Sequence, residues 1–194
     1  MKYCQFNEEQ HIIDFFTKYG FGRKILCDIG ARLEGSNCAR MIEEYGFTGL
    51  LVDANDKHVR ELQHKFPKIE SRNLRVTIEN VNSLIPDHCD LLSIDIDSND
   101  GWIFLNILKR PRLIIVETQD ADGMFLSEYS DVRNKHACGI SSDALRVLAD
   151  LKGYRIAGKT GVNCFLVDKG CDLSFEDNML RPAQPMPPNR NVLR

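Results

Sequence analysis

Lys24-Ile25-Leu26-Cys27-Asp28-Ile29-Gly30, an apolar run that breaks at a glycine, and Gly49-Leu50-Leu51-Val52-Asp53, a second run that ends in a carboxylate, decide how this chain folds. Short, nearly continuous hydrophobic runs belong to strands buried on both faces, as in a parallel sheet covered by helices. Between them, Ser36 to Tyr45, closed by Gly46, reads as a helix; after them, Asp56 to Phe66, stopped by Pro67, reads as another. The alternation continues. Leu74–Glu79 is a third, weaker strand, Cys89–Ile96 a fourth and Pro111–Glu117 a fifth, with a helix over Gly101–Lys109. Upstream, Asn7 precedes a helix over Glu8–Tyr19 with Ile12, Ile13, Phe15 and Phe16 as its buried stripe and Gly20 as its stop. Downstream, Ser141 or Ser142 caps a helix ending at Leu151, and Tyr154–Ala157 and Val162–Val167 form a closing antiparallel pair. The pattern predicts an α/β fold: a Rossmann-like, doubly wound, mostly parallel seven-stranded sheet with a C-terminal antiparallel hairpin.

The expected organisation is an N-terminal helix over residues 1–21, an α/β domain over 22–170 and a tail over 171–194 that carries four of the seven prolines. The stretch from Thr118 to Ile140 has no clean period and reads as a long functional loop. The 194 residues suffice for one domain with a substantial core. The net charge of −3 disfavours bulk electrostatic attraction to nucleic acid, and no apolar run approaches the ~18 residues of a membrane span. The seven cysteines are scattered without a CxxC pair, which points to a reducing cytoplasm.

Ligands of doubly wound sheets sit beyond the carboxyl ends of the strands. Those ends are polar and acidic here: Asp28, Gly30, Asp53, Glu79, Asn80, Asp95, Asp97 and Glu117. Gly30 permits a tight turn, but Arg32 stands where a GxGxxG fingerprint needs its second glycine and crowds the place of a pyrophosphate, which weighs against NAD. Asp53 follows Gly30 by 23 residues, the distance at which dinucleotide folds place a ribose-binding carboxylate; an Asp there also suits the cap of the next helix. Asn80 is placed to read the edge of an adenine or simply to close a polar turn.

Taken in order, Asp28-Ile29-Gly30-Ala31, Leu51-Val52-Asp53-Ala54-Asn55, Glu79-Asn80-Val81-Asn82 and the run from Leu91 to Asp100 resemble the motifs of class I S-adenosylmethionine-dependent methyltransferases. Within that class the chain looks most like the FkbM-like branch, whose relatives act largely as O-methyltransferases on sugars or small metabolites. Ser141-Ser142-Asp143-Ala144-Leu145, Gly153-Tyr154-Arg155 and the run from Gly161 to Val167 are similar to that branch's last helix and hairpin. The resemblance implies S-adenosylmethionine as cofactor and a small-molecule or glycan acceptor. It implies Asp28, Gly30 and Ala31 beside the methionine part, Asn37 as a further cofactor-binding residue, Asp53 on the ribose hydroxyls with Ala54 and Asn55 alongside, Asn80 and Val81 at the adenine, and Asp95 where sulfonium meets acceptor. Arg32 departs from the small residue usual at its position.

Asp95 and Asp97 share a face in a continuing strand, and Glu117 ends the neighbouring one. Crowded carboxylates either raise one pKa, giving a general base, or attract a cation such as Mg²⁺ or Mn²⁺, with Asp97 and Asp100 as ligands. Asp95, Asp97 and Glu117 are therefore the candidate catalytic groups. A calcium loop is excluded, because its sixth and twelfth positions would be Asp100 and Asn106. A metal-dependent nucleotide-sugar transferase using Asp95 and Asp97, and a non-catalytic cofactor-binding module, remain alternatives, and a homo-oligomer is possible. His58 and His64 read as surface residues, His136 as a loop residue able to act on substrate, and Trp102 as packing beside the acidic cluster with a partly exposed edge.

Overall fold

The parallel strands form because their apolar residues alternate between two helical layers. A computed structural model describes residues 3–119, 123–130 and 139–171. Its elements are α1 (Glu8–Tyr19), β1 (Ile25–Ile29), α2 (Ala39–Tyr45), β2 (Thr48–Asp53), α3 (Asp56–Lys65), β3 (Glu70–Asn73), α4 (Val81–Leu84), β4 (Leu91–Ile94), α5 (Asp100–Asn106), β5 (Leu113–Glu117), α6 (Ser142–Leu151), β6 (Tyr154–Lys159) and β7 (Asn163–Asp168). The sheet runs β3-β2-β1-β4-β5-β7-β6, parallel from β3 to β5 and antiparallel through β7 and β6. This is the expected doubly wound sheet with its closing hairpin.

Successive strand residues point to opposite faces. Cys27, Ile29, Leu50, Val52, Leu92, Ile94, Ile114 and Val116 pack under α4, α5 and α6 against Leu84, Ile103, Phe104 and Leu145. Leu26, Leu51, Leu91, Leu113, Ile115 and Phe165 pack under α1, α2 and α3 against Ile12, Phe16, Met41 and Leu62. The stripe expected on α1 is therefore a core face. Arg112 ties the end of that helix to the sheet by donating to the carbonyls of Tyr19 and Gly20 at 2.7 and 2.8 Å.

Several boundaries move: the fourth strand is Leu91–Ile94, the next helix Asp100–Asn106 and the fifth strand starts at Leu113, and two further shifts have local reasons. The helix expected from Ser36 starts at Ala39, because the Ser36 hydroxyl accepts from the Cys38 and Ala39 N–H groups and holds the intervening residues in a turn. The third strand is Glu70–Asn73, not Leu74–Glu79. Its ladder with β2 pairs Leu50 with Glu70 through Asp53 with Asn73, so it runs out where β2 ends. The alternating residues that follow leave the sheet, with Val76 buried in the core.

Asp28 points from β1 into the α1–α2 face and is 3% exposed. Burial raises its carboxyl from 3.8 to about 7, with Ser93 and the Cys38 thiol donating to it and moderating the rise. A carboxyl whose folded pKa is raised favours the fold below the unfolded value, and that contribution is lost as pH climbs from about 4 to about 7. Asp28→Asn should therefore gain stability on the wild type by up to about 1.4 kcal/mol per pH unit across that window. Denaturant titrations at pH 5 and pH 7.5 check this; a difference that does not change with pH counts against it.

Candidate active site

The carboxyl end of β1 is held to both neighbours. Gly30 and Ala31 N–H groups donate to the Val52 carbonyl at 2.8 and 2.9 Å, and the Asp95 N–H donates to the Ile29 carbonyl at 2.9 Å. Gly30 has φ +87°, and a Cβ built on it would lie 1.6 Å from the Asp95 carbonyl oxygen. Only glycine lets the two chains approach so closely while turning. Above this crossing lies a cavity of about 300 Å³ walled by Gly30, Arg32, Asp53, Asn55, Val76, Asp95 and Asp97, with Ala54, His58, Arg75, Ile96, Ser98 and Asn99 completing the lining.

Asp53 does not cap α3. That cap is Asn55, whose side chain accepts from the Lys57 N–H at 3.0 Å. Asp53 Oδ1 accepts from the Asn55 N–H at 2.6 Å, and His58 Nδ1 lies 3.3 Å from the same oxygen. Both contacts fall on Oδ1, and Asp53 lines the cavity. An ionised carboxylate offers about four lone-pair sites, so acceptor capacity for a diol remains.

The structure brings Gly30, Asp53, Ala54, Asn55, Asp95 and Asp97 to one cavity and places the other expected residues elsewhere. Asp28 and Asn37 lie beneath the β1–α2 turn, where Asn37 donates to Ser93 Oγ at 3.3 Å. Ala31 and Val81 are core residues. Asn80 braces the turn over residues 75–80 from outside, accepting from the Thr77 N–H and donating to the Arg75 carbonyl, so Arg75 and Val76 face the cavity instead.

The acidic cluster divides by what its oxygens bond. Asp100 is fully buried; its two oxygens accept from the Ile96 N–H at 2.8 Å and the Ser98 N–H at 3.0 Å. It closes the loop over residues 95–99, so the expected pairing of Asp97 with Asp100 is replaced by a group of Asp95, Asp97 and Glu117, whose ligand atoms lie within 4.8 Å of one another. Asp97 reaches this group from a left-handed backbone, φ +57°. Burial raises both Asp95, to about 6, and Glu117, to about 8. Arg32 pulls Asp95 back while Asp97 pushes it up, and the charges of Asp95, Asp100 and Asp97 add to the rise at Glu117. The two interact closely enough that the pair, not either residue, titrates.

Residues 123–130 are clasped to the start of α5. Asn99 donates to the Ser130 carbonyl at 2.7 Å, Trp102 Nε1 donates to the Ser127 carbonyl at 2.7 Å, and the Trp102 ring meets Tyr129 edge-on. Trp102 thus anchors the long loop as well as packing. His136 and Cys138 and the residues from 172 onward lie outside the described residues. The sequence reading missed His58, taken as a surface residue. Its signal was position: three residues after the α3 cap, the first helical turn faces the strand ends. Among the described residues, no helix is long and apolar enough to cross a membrane.

No family model and no curated protein match this chain. Solved structures match it in fold. The N-terminal domain of EvdMO1 with SAH bound superposes at a TM-score of 0.52 with 13% identity, covering 82% of this chain and 79% of that one. The same domain in the presence of SAH and D-fucose gives 0.51 at 13%, covering 82% and 80%. An S-adenosylmethionine-dependent methyltransferase from Clostridium acetobutylicum ATCC 824 gives 0.53 at 11%, covering 84% and 91%. The chain has the Rossmann-like α/β fold of these proteins.

Gly30→Ala tests the crossing. The added methyl meets backbone, not a flexible side chain, and the left-handed φ adds strain of about 1–3 kcal/mol. Thermal unfolding should fall by several degrees or more; an unchanged midpoint would show that the β1 and β4 ends part without cost.

Proposed function

We propose that this chain is an S-adenosylmethionine-dependent methyltransferase that transfers a methyl group to a hydroxyl of a sugar or small metabolite, in the manner of the FkbM-like branch its motifs resemble. The observation that carries this reading is the pairing of the Gly30 turn with Asp53 on one cavity at the ends of β1 and β2. The residues fit the cofactor by chemistry. The Asp53 carboxylate suits a ribose diol, Val76 offers an apolar surface to a base, and the acidic group of Asp95, Asp97 and Glu117 suits a sulfonium and an ammonium. The SAH named for the EvdMO1 domain supports the same ligand class here, and the D-fucose present with it supports a sugar-like acceptor.

The bound cofactor supplies an activated methyl group, so the chain's own work is positioning and proton removal. In this reading the acceptor enters over β4 and β5, beside residues 123–130. Asp95, Asp97 and Glu117 orient its hydroxyl, and the Asp95–Glu117 pair, or Asp97 beside it, takes the proton. Burial raises the pair toward neutrality, which matches a base to its task.

Asp53→Ala should weaken SAH binding roughly a hundredfold, from two lost charge-assisted hydrogen bonds. Isothermal calorimetry reads this, and undiminished affinity overturns the ribose assignment. The three clustered carboxylates also suit Mn²⁺ in a nucleotide-sugar transferase. Heat from UDP-sugar with Mn²⁺, and none from SAH, would favour that reading.

A pH profile tests the base. Since the base acts when deprotonated, kcat/KM for the best hydroxyl acceptor of a panel should climb between about pH 6 and pH 8. Glu117→Gln removes the carboxyl that stands highest, at about 8, leaves Asp95 at about 6 as the titrating group and so moves the climb to lower pH. A profile flat from pH 5.5 to 9 would remove the carboxylates from proton transfer.

A further inference from the structure

We infer that Arg32 anchors the α-carboxylate of the cofactor's amino-acid tail and so separates S-adenosyl ligands from nucleosides that lack this tail; the inference rests on the methyltransferase reading. A ligand whose ribose sits on Asp53 lies along the order β3-β2-β1-β4. Arg75 and Val76, just after β3, mark its base end; Gly30 and Asp95, at the ends of β1 and β4, mark the other. That second end is acidic. Asp95, Asp97 and Glu117 attract the sulfonium and ammonium of an S-adenosyl ligand but repel its carboxylate, which therefore needs a cation of its own.

Three basic side chains line the cavity: Arg32, Arg75 and His58. Arg75 stands at the base end. His58 lies against Asp53. Arg32 remains, and it follows β1 on the side where the tail must run. It is half-buried, its charge pulls down the Asp95 and Glu117 carboxyls from a distance, and it makes no hydrogen bond with any described residue. It forms a wall common to the 300 Å³ cavity and to a neighbouring one of about 410 Å³ bounded by Gln5, Gly35 and Lys57. The guanidinium lies over Gly35, where a Cβ would stand 3.4 Å from the Arg32 Nε and 3.5 Å from Nη2, in ordinary contact. A planar, permanently charged fork of N–H donors at this place matches a carboxylate in geometry as well as charge. The side chain that crowds a pyrophosphate thus supplies what an amino-acid ligand requires.

The test compares SAH with 5′-methylthioadenosine, which keeps the nucleoside and sulfur but lacks the amino-acid tail. Calorimetry on the full chain should show tighter binding of SAH to the wild type. Arg32→Met, which keeps the apolar stem, should cost SAH roughly ten- to a hundredfold and leave 5′-methylthioadenosine unchanged, with Arg32→Lys recovering part of the loss. Unchanged 5′-methylthioadenosine binding also shows that the variant is folded. Equal loss of both ligands assigns Arg32 to the fold and overturns the inference; undiminished SAH binding overturns it while leaving the methyltransferase reading intact. A wild type that binds neither ligand overturns both.

Discussion

The close passage of Gly30 over the Asp95 carbonyl is the constraint on which the site depends. Backbone hydrogen bonds from Gly30 and Ala31 to β2 and from Asp95 to β1 tie three strand ends together at one height. Parallel strands with evenly spaced ladders would otherwise end independently. Because they end together, residues far apart in the chain, Asp53 and Asp95 among them, face one cavity from neighbouring strands. A backbone-to-backbone crossing is also stiffer than side-chain contacts, since no rotamer change relaxes it.

Above the crossing, the chain tolerates an unusual concentration of buried acid. Asp28 and Asp100 are consumed by local structure: one accepts from Ser93 and Cys38, the other from two loop N–H groups. Hydrogen bonds of this kind reduce the cost of burying a carboxyl. Asp95 and Glu117 have no such backbone donors; burial raises both, a hydrogen bond from Glu117 lowers Asp95 again, and the Asp95 charge adds to the rise at Glu117. Carboxyls that look equivalent in sequence are thereby sorted into supports and reactive candidates by whether the fold directs its own donors at them, side chains at Asp28 and loop N–H groups at Asp100.

Much of the frame was legible in the residues. The runs ending at Ile29 and Asp53 and the helices at Glu8–Tyr19 and Ser142–Leu151 carry periodicity and stop signals that tertiary packing reinforces. The third strand was not legible, because Glu70-Ser71-Arg72-Asn73 is polar and gains strand geometry only from its ladder with β2. Site residues followed the same divide. Gly30 and Asp53 are visible from spacing relative to the strands. The inward turn of Asp100, the outward brace of Asn80 and the approach of His58 depend on loop closure and helix phase, which residue types do not encode. The strand ends at Ile94 and Asp97 meets Asp95 through a left-handed turn, so their proximity does not come from the alternation expected of a continuing strand.

The first turn of α5 joins two tasks. Asp100 shapes the loop that walls the cavity, while its neighbours Asn99 and Trp102 hold residues 123–130. The wall and the clasp therefore share one short foundation and are not independent modules. Transplanting the 123–130 segment from a relative, as in chimeric enzyme design, would need Asn99 and Trp102 to travel with it, and a graft that ignores them would disturb the far side of the pocket.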